Sequence, residues 1–177
     1  VMFVAPPEKE VEWSDAGLEG SYRFLMRVWR MVHHWRPLLE GAPGVDTVSA
    51  WDAGERALRR KTHDTIRRAT ADIEVRMQLN TAVSSLMELV NDMYTFSAST
   101  PRGLPTRVSA PAPVAVRAET RAAMREAIEA LVVMLSPFAP HTAEELWEQL
   151  GHDDGLTATA WPTCDEAVAQ SRARAAC

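Results

Sequence analysis

Residues 135–147 read LSPFAPHTAEELW, with two prolines three positions apart between an aliphatic run and a helix-forming Glu-Glu-Leu-Trp segment. Proline lacks the backbone donor a helix interior needs and disfavours helix at the residue before it. Ser136 should therefore close one helix, and Ala139 should still lie outside the next. Thr142 followed by Glu145 has the spacing of a capping box, which satisfies orphan amides at a helix start, and Gly151 after Leu150 stands where a helix stop belongs. The stretch predicts two helices meeting at a fixed corner.

Working outward, apolar residues recur at helical spacing along the chain. Met124, Ile128, Leu131 and Leu135 give the helix before the corner. Leu79, Val83, Leu86, Val90 and Met93 give an earlier one, with Asn80 as a candidate cap. A long polar-rich helix is expected from about Ala53 to Gln78, with Ile66, Ala69, Ile73 and Met77 inward. The first helix, capped by Ser14 or Asp15 and ending near Pro37, carries two apolar stripes: Leu18, Tyr22, Leu25, Trp29 and Val32, and Phe24, Val28, Met31 and Trp35. It reads as a central helix. Gly17 and Gly20 in its first turns suggest that another backbone packs closely there. The Ser-, Pro- and Ala-rich tract 97–116 offers few apolar anchors and reads as a mobile loop. The expected fold class is all-α, a bundle of about five helices.

With 177 residues the chain can bury about 70% of its unfolded surface, enough for one core. Hydrophobic residues make up 46% and charged residues 24%, the proportions of a soluble globular protein, and no apolar run approaches the roughly 20 residues of a membrane span. Cys164 and Cys177 are the only cysteines and have no metal-ligand spacing, which argues against a disulfide scaffold or a structural zinc site and fits a cytoplasmic location. The chain opens without the basic region of a signal peptide and reads as part of something longer.

No phosphate-cradling glycine loop, His-Glu-x-x-His or Gly-x-Ser-x-Gly is present, so no catalytic constellation, cofactor site or metal site is expected. His152, Asp153 and Asp154 in GHDDG read as a solvated turn rather than metal ligands. His33 and His34 read as packing or helix-end residues, and the six tryptophans as core.

Charge is uneven along the chain. The net charge is -5, yet Leu18 to Arg76 carries eleven Lys/Arg against eight acids, or +3, which leaves -8 for the rest. Arg23, Arg27, Arg30 and His34 recur at 4, 3, 4 spacing along one face of the first helix, and Arg56, Arg60, His63 and Arg67 do the same on the second. Such stripes can hold an RNA backbone. The alternative is that they pair internally with the acids between Glu119 and Glu148.

Four blocks decide how the stripes are read: WSDAGLEGSYRFLMRVWRMV (13–32), HDTIRRATADI (63–73), LNTAVSSLMELVND (79–92), and LSPFAPHTAEELW with the later Trp161-Pro162. In this order and spacing they resemble the helical tRNA-binding (anticodon-binding) domain of bacterial-type leucyl-tRNA synthetases. The Pro-Phe-Ala-Pro-His corner is shared with isoleucyl, valyl and methionyl enzymes. The Gly17 to Trp29 block and Met87-Glu88-Leu89-Val90-Asn91 point to leucine. The resemblance implies a lead-in segment 1–12 from a catalytic core, a helical tRNA-binding domain 13–162 containing the loop 97–116, and a C-terminal tail 163–177 that departs from the family pattern. It implies tRNA(Leu) as partner, held through its sugar-phosphate backbone, and the catalytic core of the same parent chain as neighbour; the stripe residues Arg23, Arg27, Arg30, Arg56, Arg60, His63 and Arg67, singled out by spacing, are the candidates for the tRNA contact. ATP and magnesium would act in that core, since His-x-Gly-His and Lys-Met-Ser-Lys-Ser do not occur here. A sibling synthetase, or a helical protein-interaction module without RNA, is the other reading.

Overall fold

The computed structural model describes residues 15–100 and 116–170. Within them the chain is helical: α1 (Asp15–Leu39), α2 (Ala53–Glu74), α3 (Leu79–Ser99), α4 (Ala118–Leu135), α5 (Pro140–Gln149) and the four-residue α6 (Glu166–Ala169), with 3-10 turns at Val45–Thr47 and Leu156–Ala158. Among the described residues there is no strand, and no helix is long and apolar enough to cross a membrane. The expected all-α bundle is the observed one. Segment 1–12, most of the loop 97–116 and the end of the tail 163–177 lie outside the described residues.

Side-chain pairs between helices give the direction of each. Lys61 meets Asp92 and Arg68 meets Glu88, so α2 and α3 are antiparallel. Tyr94 meets the Arg27 carbonyl and Ser97 meets Trp35, so α1 runs parallel to α3. Glu55 meets Thr120 and Arg59 meets Glu126, so α4 runs parallel to α2. The four long helices therefore go up, down, up, down.

α4 occupies the middle, packed by α1, α2, α3 and α5. Met124, Ile128, Leu131, Val132 and Met134 are fully buried, and Ala122, Ala123, Ala127 and Ala130 let its neighbours come close. Each large aliphatic side chain removed from water here contributes about 1.5–3 kcal/mol. The central helix is thus α4 rather than α1, correcting the sequence expectation. On α1 the stripe through Phe24, Val28, Met31 and Trp35 is core, but Leu18 and Tyr22 of the second stripe are exposed. Nothing lies within 4 Å of where a Cβ on Gly20 would stand, so no backbone packs there. Trp35 and Trp147 are buried, whereas Trp29, Trp51 and Trp161 pack at the core's edge.

At the corner, α4 stops at Leu135, whose carbonyl accepts from the Phe138 and Ala139 N–H groups at 3.0 Å. α5 then begins with Pro140 in its first turn, where the missing N–H would have been an orphan and the fixed φ suits the helix. The Thr142–Glu145 capping box does not form, because proline starts the helix earlier, at a cap residue, Ala139, without a side-chain bond. A capping box does form at α2, between Asp52 and Glu55. Gly151 takes φ +92 and ends α5 as expected.

Three helix ends also differ from expectation. α1 continues through Pro37 to Leu39, which is buried. α2 stops at Glu74, leaving Met77 exposed at φ 52 in the turn to α3 rather than inward. Gln78, not Asn80, stands before α3, which runs on to Ser99 so that Ser97 can accept from Trp35 Nε1 at 3.1 Å.

Candidate nucleic-acid interface

On α1, Arg23 is well exposed, 3.8 Å from Glu19 one turn earlier. Arg27 lies half-buried with its guanidinium 4.7 Å from the centre of the Tyr94 ring. Arg30 is exposed and donates to the Met26 carbonyl at 3.1 Å. These residues share the flank of α1 that leans on α3, and their contacts leave nitrogens facing water. They make none of the expected ion pairs with the acids of α4 and α5.

On α2, Arg56 is exposed and donates to the Trp51 carbonyl, and Arg67 is exposed and bonded to Asp64 on its own helix. Arg60 is half-buried in a cleft lined also by Asp64, Asp92 and Thr95. α3 packs against both α1 and α2, and residues of both stripes border it on one turn: Arg27 lies over Tyr94, and Arg60 shares its cleft with Asp92 and Thr95.

The internal pairs are made by other cations, which spacing did not single out. Arg59 holds Glu126 through two bonds of 2.8 and 3.1 Å and lies over the Trp51 ring. Lys61 and Arg68 converge on Glu88 at 2.9 Å and hold its carboxyl below the usual range. Arg117, at the start of α4, faces Asp52 at 3.3 Å and Glu55 at 3.9 Å. The Asp52-x-x-Glu55 spacing was the legible signal for this last cluster.

His63 is the one stripe residue that the structure removes from the surface. It is buried, with Nε2 3.1 Å from Glu126 and Nδ1 accepting from the Asp165 N–H at 3.1 Å. These two bonds require the Nε2–H form of the ring when neutral. The preceding Cys164 donates to the His63 carbonyl, and Trp161 donates to Thr70 at 2.8 Å. Residues 161–170 therefore dock along α2, and His63 anchors them instead of meeting a phosphate. Burial pushes the Glu126 carboxyl up, but the bonds and charges of His63 and Arg59 outweigh this and hold it below the usual range. Burial and Glu166 push the Cys164 thiol up, away from the reactive thiolate.

The GHDDG turn is tied down by packing. His152 stacks on Trp147 at 3.7 Å and reaches Glu129 at 3.1 Å, while Trp147 donates to the Asp154 carbonyl. His33 lies against Trp29. Among the described residues no three His, Cys, Asp or Glu side chains are grouped to hold a metal.

Among the described residues the chain is a helical bundle of antiparallel long helices with a Pro-x-x-Pro corner and exposed arginines on α1 and α2. The family model described as the anticodon-binding domain of tRNA ligase matches residues 55–176, and the chain belongs to that family. It is 45% identical over 168 residues to a leucine–tRNA ligase of Geotalea daltonii, and 42% identical over 168 residues to one of Chromohalobacter salexigens. Each match covers 95% of this chain but only 18% and 17% of the relative, so the chain spans under a fifth of those ligases. A crystal structure of an Agrobacterium radiobacter LeuRS in ternary complex with tRNA and LeuAMS shares the fold. Its TM-score is 0.77 at 24% identity, over 96% of this chain and 19% of that one.

Proposed function

We propose that this chain is the helical domain with which a leucine–tRNA ligase holds tRNA(Leu), while ATP-dependent leucylation proceeds in a catalytic core outside the sequence. The observation that carries this reading is the 45% identity to a leucine–tRNA ligase across 95% of the chain. The geometry supports it, since Arg23, Arg27, Arg30, Arg56 and Arg67 keep donors toward solvent while Arg59, Lys61 and Arg68 neutralise the bundle's own acids. Guanidinium groups suit the task, because each can give two bonds to one phosphate. Backbone contacts position an RNA without reading its sequence, so the domain orients tRNA rather than selecting an anticodon.

Fluorescence anisotropy with tRNA transcripts tests the reading. Binding should be weak and fall steeply with salt, and Arg27→Glu or Arg60→Glu should weaken it by a similar factor for tRNA(Leu) and for the same tRNA with its anticodon replaced. Each lost phosphate contact should lower the salt slope by about 0.7–0.9. Absence of salt-dependent binding, or a loss confined to the leucine anticodon, would refute it.

A further inference from the structure

We propose that residues 161–170 are a displaceable strap across the middle of the α2 arginine stripe, and that an RNA backbone must lift this strap to follow the stripe. The inference rests on the tRNA reading above.

The stripe runs along one face of α2 through Arg56, Arg60, His63 and Arg67, so a phosphate chain laid from Arg60 to Arg67 passes over His63. That position is taken. The strap lies on it, with the Asp165 N–H donating to His63 Nδ1 at 3.1 Å and Cys164 donating to the His63 carbonyl at 3.3 Å. It reaches the neighbouring stripe residues as well. Ala169 borders the cleft that holds Arg60, and Arg67, bonded to Asp64, also lies in the field of the Glu166 carboxylate. The strap's charge has the wrong sign for RNA. Asp165 and Glu166 are exposed, and residues 161–170 contain no Lys, Arg or His. Carboxylates therefore stand where the stripe alone would offer cations to phosphates, and they repel the partner that the arginines attract.

The contact is also weak enough to open. No residue from 161 to 170 is buried, and α6 is a single turn capped by the strap's own Asp165, which accepts from the Ala167 and Val168 N–H groups. Segments with so little buried apolar surface open at a small fraction of the cost of global unfolding. Lifting the strap returns His63 Nδ1 to water and leaves its Nε2 on Glu126, which restores the unbroken stripe that the spacing describes. RNA affinity is then scaled by the fraction of molecules whose strap is lifted.

Amide exchange of residues 164–169, followed with and without saturating tRNA, tests the inference. Exchange there should accelerate when tRNA binds. A strap that stays docked would exchange at the same rate or more slowly, and that result would overturn the proposal. His63→Phe supplies a second reading, because it loosens the strap without adding or removing an arginine, with the helical circular-dichroism signal as the control of folding. Its tRNA affinity should rise several-fold, by the factor with which exchange of 164–169 accelerates in the free protein, since both report the same opening. Glu166→Gln, which removes one strap charge and leaves the His63 bonds in place, should also tighten binding. A loosened strap in His63→Phe with equal or weaker tRNA binding would overturn the proposal while leaving the tRNA reading intact. If neither wild type nor His63→Phe bound tRNA in a salt-dependent way, the tRNA reading itself would fall and take this inference with it, which tells the two failures apart.

Discussion

Removing the Glu126 carboxylate should lower stability by about 2–3 kcal/mol, because Arg59 and buried His63 would both lose the group they bond to. Glu126→Gln keeps the shape, and denaturant unfolding at pH 7 measures the loss. The sign of the pH dependence follows from the carboxyl's lowered value. Its contribution is complete above the unfolded value of about 4.3 and is lost as the pH falls through the lower folded value. The gap between wild type and Glu126→Gln should therefore narrow in acid, and a gap constant from pH 7 to 3 would contradict the ion-pair account. At Met77 the backbone gives the opposite expectation. Met77→Gly relieves a left-handed conformation on an exposed turn and should raise the stability of this chain by up to about 1 kcal/mol.

Among the elements, those with one dominant apolar stripe were legible, and α3 and α4 came out with the stripes that periodicity gave. Their ends were less so, because caps and prolines compete. Pro140 overrode the Thr142–Glu145 signal, and burial of Leu39 carried α1 past Pro37. The segment 161–170 was illegible, since its docking depends on partners about 91 to 102 positions away, with Trp161 on Thr70 and Asp165 on His63. No periodicity records such contacts. They make a test at this scale: His63→Phe keeps an aromatic ring but supplies neither bond. Amide exchange of residues 164–169 should then accelerate markedly while that of α3 stays near wild type. Unchanged exchange would show that the segment is held by Trp161 and apolar packing alone.

For the whole molecule, the question is which cations belong to the fold and which are left for a partner. Spacing placed Arg23, Arg27, Arg30, Arg56, Arg60, His63 and Arg67 on helix faces, and that much was legible. Which cations would find acids across the bundle was not, because pairing depends on helix order: α3 stands between α1 and α2, and α4 beside both. A chain of net charge -5 offers carboxylates in excess, yet Glu126 goes to Arg59 and His63, and Glu88 to Lys61 and Arg68. The two sets should separate on mutation. Arg23→Glu and Arg56→Glu, at exposed sites, should shift stability by no more than about 0.5 kcal/mol. Arg59→Glu sets like charges together beside half-buried Trp51 and should cost about 3 kcal/mol or more. Binding should rank the other way, with tRNA affinity falling for the first two while their helical circular-dichroism signal is intact. If Arg23→Glu and Arg56→Glu instead unfolded the bundle and left RNA binding alone, those arginines would belong to the fold and the interface would have to be sought on another face.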